Sequence, residues 1–167
     1  GGGIGPFEFW ESQNMLLNIC AKLEEENWER NERQETLVGI RVMVHKARQL
    51  GISALSRSIV LHSMIFKRDI DALSASIGQK EIGELYDRDQ AILAQVPWWM
   101  KPEFGFNVKN EHTHFVKLNN RLMYQDSKQT SGLGIGRRFD MAHLTECAAW
   151  DNPLTIELDF FPTTIPA

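Results

Sequence analysis

The segment Lys46-Ala47-Arg48-Gln49-Leu50-Gly51-Ile52-Ser53 has the residue types and spacing of a phosphate-binding loop whose usual lysine has moved. The common form of such a loop is GxxxxGK[ST], and its chemistry is electrostatic. Backbone N–H groups at a helix start, together with the helix dipole, cradle phosphate oxygens. Here the last three positions read Gly51-Ile52-Ser53. Gly51 lets the backbone approach a phosphate and the Ser53 hydroxyl suits Mg2+, but Ile52 cannot neutralise phosphate charge. Lys46 and Arg48 stand earlier in the loop, and arginine's planar fork suits phosphoryl oxygens. Taken alone, the same pattern describes an ordinary strand-to-helix connection with a glycine and a serine cap.

A second run, Met141-Ala142-His143-Leu144-Thr145-Glu146, is a short apolar stretch ending in a hydroxyl and a carboxylate. A carboxylate at a strand end can polarise a water for attack on a γ-phosphate, and a hydroxyl can bind Mg2+ through water. Thr145 and Glu146 stand where such sites carry an Asp-Glu pair. On its own, this run is also a plain strand end with a solvated glutamate.

These groups need a scaffold, and the hydrophobic pattern supplies one. Leu37 to Val44 is rich in β-branched residues and reads as a strand entering the loop, while Ser53 to Phe66 is apolar nearly all round, as in a helix buried beside a sheet. Ile70 to Ile77 reads as a second strand. Ile82, Leu85, Tyr86, Ile92, Leu93 and Val96 follow at helical spacing, until Pro97 and Pro102 stop the helix. His112 to Leu118 and Arg121 to Gln125 form a hairpin around Asn119-Asn120. A glycine-punctuated loop, Ser131 to Arg138, leads into Met141 to Leu144 as a third core strand, and Leu154 to Phe161 reads as a last short helix. At the front, Leu16, Ile19, Cys20 and Leu23 fall at i, i+3, i+4 and i+7, which predicts an amphipathic helix between Trp10 and Trp28. Residues 1–6 read as a flexible leader. Alternating strands and helices predict an α/β fold.

Taken in order, these runs resemble the ATPase domain of tailed-bacteriophage terminase large subunits. That family combines an N-terminal aromatic–Gln adenine motif, a loop of the form K-x-R-Q-x-G-x-S/T, and a glycine-rich loop leading to H-x-S/T-E. The counterparts are Phe9-Trp10-Glu11-Ser12-Gln13, then Lys46 to Ser53, then Gly134-Ile135-Gly136 through His143-Leu144-Thr145-Glu146. The resemblance runs from about Phe7 to the end of the chain. It implies a P-loop NTPase-like three-layer sandwich with a mostly parallel sheet, incomplete at its C-terminus. Residues 7–167 would then be a partial ATPase domain without the nuclease domain.

By this resemblance Trp10 packs on the adenine and Gln13 reads its edge, while Lys46, Ala47, Arg48, Gln49, Leu50, Gly51, Ile52 and Ser53 bind the phosphates. Lys46 takes over the displaced lysine's role, and Arg48 stabilises the γ-phosphate in cis. Glu146 is the catalytic carboxylate, with Ser53 and, through water, Thr145 holding Mg2+. The implied activity is hydrolysis of ATP, with Mg2+, coupled to translocation of double-stranded DNA into a capsid. The implied partners are the portal protein and the small terminase subunit, in a homo-oligomeric ring in the cytoplasm of an infected bacterial host. Ile52 in the lysine position and Thr145 in the aspartate position keep a second reading open, a non-catalytic nucleotide- or protein-binding module on the same scaffold. A third is an α/β domain with no nucleotide site.

Composition narrows the field. With 167 residues, 43% of them apolar and 24% charged, the chain can bury one sizeable core. A net charge of −4 excludes wrapping nucleic acid by overall charge, so any DNA contact is local or lies outside this chain. Cys20 and Cys147 stand far apart with no zinc-ligand spacing, which fits a reducing, intracellular setting. No run approaches the roughly 18 apolar residues of a membrane span. His112 and His114 share a strand face but lack a third metal ligand. Trp98-Trp99 read as a core-anchored linker or a subunit contact, and Arg137-Arg138 as a solvated pair.

Overall fold

The computed structural model describes residues 9–35, 39–45, 51–108, 112–128 and 138–151, with only the backbone of 104 and 106–108. The chain divides into two compact units, residues 1–55 with 166–167, and residues 56–165. Each is described by itself.

In the first unit, helix α1 spans Glu11–Glu32. Its expected apolar stripe is only partly used: Leu16 is buried, whereas Ile19 is exposed. Along its surface Lys22 pairs with Glu26 at 4.0 Å and Glu29 with Arg33 at 3.6 Å, both at the i, i+4 spacing that supports an exposed helix. The strand expected over Leu37 to Val44 is not formed in its described part. Residues 39–45 carry neither helix nor strand, and Ile40, Val42, Met43 and Val44 are all exposed, Met43 at 97%. β-branched residues favour a pleated, half-buried surface, and a strand forms only where a partner takes its hydrogen bonds. Helix α2, Ile52–Phe66, opens in this unit and runs on into the second.

The second unit continues with β1 (Asp71–Ser76), α3 (Gln79–Gln95), β2 (Phe104–Val108), β3 (His112–Phe115), β4 (Asn120–Asp126) and β5 (Met141–Leu144). The strands form one sheet in the order β2-β3-β4-β1-β5. β1 is parallel to both β4 and β5, while β2–β3 and β3–β4 are antiparallel. The α/β expectation holds, but the sheet is mixed rather than mostly parallel. The reason is connection length. β3 and β4 are joined by a single 3-10 turn, Val116–Leu118, and by Asn119 in the left-handed region at φ 55°. So short a link joins only antiparallel neighbours, whereas parallel strands need a crossover. β2 was not signalled by the sequence, because Gly105 and Asn107 are weak strand formers.

Val60, Leu61 and Met64 of α2 and Ile82, Leu85 and Leu93 of α3 pack on Ala72, Leu122 and Tyr124, burying one face of the sheet. The opposite face buries Leu73 and Ala75 against Phe139 and Trp150. Asn120, fully buried, ties α2 to the sheet. Its amide donates to the carbonyls of Met64 at 2.9 Å and Lys67 at 2.8 Å, and its Oδ1 accepts from Ile70 N at 2.8 Å. α3 ends before Pro97, as expected. Trp98 and Trp99 beyond it are 87% and 67% exposed, so they are not anchored in the core. No helix among the described residues is long and apolar enough to cross a membrane. The expected helix over Leu154 to Phe161 and the glycine-rich loop around Gly134 to Gly136 lie outside the described residues.

Candidate functional site

Two ends of the chain carry the residues singled out by their chemistry. At the first, Gly51 sits in the left-handed region at φ 65° immediately before α2. Leu55 N donates to Gly51 O at 3.0 Å, the first bond of the helix. The amides of Ile52 and Ser53 precede that bond and have no acceptor within the helix, which is the arrangement that attracts an anion. Ile52 is 5% exposed, an apolar anchor in the position where a lysine usually stands. Ser53 is half-buried. Lys46, Ala47, Arg48, Gln49 and Leu50 lie outside the described residues.

Gln13 and Trp10 meet this loop. Gln13 is 8% exposed, and its Oε1 accepts the Trp10 N–H at 2.9 Å, while Trp10 O accepts from Gln13 N at 2.9 Å and Asn14 N at 3.0 Å. These bonds fix the start of α1. The amide nitrogen of Gln13 is turned to the glycine: a β-carbon built on Gly51 would lie 2.6 Å from Gln13 Nε2 and 3.5 Å from Trp10 Cζ3. Gly51, lacking a side chain, leaves the space that the end of the Gln13 side chain occupies. A glutamine amide carries a donor and an acceptor side by side. Three of the sequence-derived site residues, Trp10, Gln13 and Gly51, are therefore neighbours in space.

The second end is the C-terminal end of β5. Thr145 N extends the ladder to Ala75 O at 2.9 Å, and Thr145 O accepts from the indole of buried Trp150 at 3.1 Å. Glu146 follows with φ 58°, a left-handed backbone that is unusual for a glutamate and recurs at functional sites. A short 3-10 turn, Cys147–Ala149, locks this geometry, with Ala149 N on Glu146 O at 2.8 Å. The Glu146 side chain is exposed. Beside it, Ser76 ends β1 with a buried hydroxyl that has no hydrogen-bond partner.

One level below this edge lies a network that the sequence reading missed. Arg57 of α2 is 2% exposed and Asp89 of α3 is 0% exposed. Arg57 Nε donates to Asp89 Oδ1 at 2.9 Å and Nη2 to Asp89 Oδ2, while Nη1 donates to Ser74 Oγ. Tyr124 O–H donates to Asp89 Oδ2 at 2.7 Å. His143 Nδ1 stands 3.5 Å from Arg57 Nη1, the long limit of such a contact. Burial, then the nearby Arg57 charge, pushes the His143 pKa down to about 4, so the ring is neutral near pH 7. Burial and then Asp89 raise Tyr124 well above the ordinary phenol range and keep its proton in place. A signal was present: Asp89 falls between Leu85 and Leu93 on an i, i+4 stripe, and Arg57 is the one Lys, Arg, Asp or Glu in Ile52–Phe66.

A shallow cleft of about 200 Å3 lies elsewhere, lined by Asp69, Asp71, His114, Arg121, Arg138 and Asp140. It sits at the N-terminal ends of β1 and β5, the far end from Glu146, and its mixed charges favour no single ligand sign. Among the described residues no three His, Cys, Asp or Glu side chains form a cluster able to hold a metal ion. An Mg2+ carried mainly by phosphates and water needs no such cage. Compared with protein-family models, curated proteins and solved structures, the chain matches none.

Proposed function

We propose that this chain is the ATP-hydrolysing part of a viral DNA-packaging motor of the terminase large-subunit kind, on a P-loop NTPase-like scaffold. The observation that carries it is the meeting of Gln13 and Trp10 with Gly51. An aromatic and an amide beside the glycine of a helix-start loop suit a nucleotide, the base meeting the aromatic and the amide and the phosphates the N-terminal end of α2. Lys46 and Arg48 supply the charge that Ile52 lacks. Mg2+ is assigned to Ser53 and, through water, to Thr145, and Glu146 polarises the attacking water. When bound, Mg2+ supplies charge neutralisation on the β- and γ-phosphates. Double-stranded DNA, the portal protein and the small terminase subunit are the partners of the assembled motor.

Calorimetric titration with ATP and Mg2+ tests this. Binding should weaken on the order of tenfold in Gln13→Ala and in Lys46→Ala, each losing a contact of about 1.4 kcal/mol or more. Unchanged binding in both variants overturns the nucleotide site. A second reading, a nucleotide-binding module without turnover, is favoured by Ile52 and Thr145 in place of lysine and aspartate. ATP hydrolysis that disappears in Glu146→Gln rules it out.

A further inference from the structure

Burying a guanidinium and a carboxylate forfeits hydration that their attraction barely offsets, so an apolar pair would stabilise this core as well. What the ionic pair adds is geometry. Ser74 stands in register with Tyr124 of β4 on one side and with His143 of β5 on the other. In-register side chains of parallel strands project from the same face. One guanidinium therefore reaches one level of three adjacent strands: Ser74 directly, Tyr124 through the shared Asp89 carboxylate, and His143 at 3.5 Å. Arg57 lies four residues after Ser53 on α2, and His143 three residues before Glu146.

We propose that Arg57 is a positioning residue for hydrolysis, a clamp between α2, β1 and β5 that sets where β5 ends and so holds Glu146 against its water. This rests on the ATPase function proposed above. His143 Nδ1 lies 3.5 Å from Arg57 Nη1, and a bidentate Asp89 keeps the guanidinium plane from turning. A side chain serving only the core would influence stability and leave turnover alone. Displacement of Glu146 by even part of an ångström lowers turnover, while substrate affinity, set elsewhere, is kept.

The test compares the full chain with Arg57→Met/Asp89→Leu, which keeps apolar packing and strands no charge, and with Arg57→Lys. The double variant should melt near the parent, yet kcat should fall on the order of tenfold or more, with KM within about threefold. Arg57→Lys keeps the charge without the fork and should restore an intermediate kcat. An unchanged kcat in a folded double variant overturns the clamp, as does an equal loss of nucleotide affinity. If the parent itself hydrolyses no ATP, the ATPase reading fails separately, and hydrogen exchange decides the clamp. Faster exchange confined to residues 141–146 upholds it, and exchange unchanged or raised uniformly overturns it.

Discussion

The Asp89 carboxylate is shared: it takes two bonds from the Arg57 guanidinium and one, at 2.7 Å, from the Tyr124 hydroxyl, all out of solvent. Removing one partner of a buried pair leaves the other charge uncompensated. Asp89→Ala should therefore cost roughly 3–5 kcal/mol, whereas Tyr124→Phe, which leaves the ion pair intact, should cost about 1–2 kcal/mol. Arg57→Met/Asp89→Leu should lie near the parent. Urea denaturation measures all three, and an Asp89→Ala variant as stable as Tyr124→Phe would show that the pair is not closed to water.

His143 makes stability depend on pH with a definite sign. Its pKa falls from 6.5 to about 4 on folding, first through burial and then through Arg57. The folded state thus disfavours the charged ring. The contribution is fully present above the unfolded value of 6.5 and is lost as pH falls from there toward 4. At 1.36 kcal/mol per unit, its ceiling is roughly 3 kcal/mol. His143→Gln cannot titrate and should lose less stability than the parent between about pH 7 and about pH 4.5. Parallel curves for the two proteins would refute the assignment.

The elements that position the site were largely legible, because periodicity is a local property. Asp71–Ser76 falls within the strand expected over Ile70 to Ile77, and Gln79–Gln95 overlaps the helical spacing of Ile82 to Val96 but starts three residues earlier. Leu37 to Val44 misled for the same reason: its composition speaks of propensity, and a strand is a relation to a partner. Arg57 and Asp89, 32 residues apart, are joined only by the packing of α2 against α3. The residue types at Gln13 and Gly51 were legible, and their contact was not, since it depends on where α1 begins relative to the loop.

Asn120 is the seam between α2 and the sheet. Its side chain makes three hydrogen bonds to backbone groups of Met64, Lys67 and Ile70 in the interior. Asn120→Ala leaves two carbonyls and an amide without partners, and should cost on the order of 3 kcal/mol. Asn120→Asp should fare little better, because a carboxylate cannot donate to the carbonyls of Met64 and Lys67. A melting temperature unchanged in Asn120→Ala would mean that water replaces all three bonds.

Gly51 is constrained twice, by its left-handed backbone and by the Gln13 amide 2.6 Å from where a β-carbon would stand. Gly51→Ala should destabilise by about 1–2 kcal/mol from the backbone alone. It should also push Gln13 aside and weaken ATP binding. Combining it with Gln13→Ala relieves the collision and leaves the backbone cost, so the two changes should be less than additive in stability. Strict additivity would show that the two residues do not meet.

Glu146 combines a chemical role with a backbone that glutamate rarely adopts, φ 58°. The two aspects separate by substitution. Glu146→Gln keeps the shape and removes the charge, so stability should hold while turnover falls by about 10²-fold or more, the usual size of a lost general base. Glu146→Gly should be more stable than Glu146→Gln by up to about 1 kcal/mol, since glycine enters the left-handed region without steric cost. Its turnover should be just as low. ATP affinity should survive in both, because the carboxylate acts on water and not on the nucleotide's resting contacts. Turnover retained by either variant would remove Glu146 from the chemistry and leave its backbone as a feature of the 3-10 turn alone.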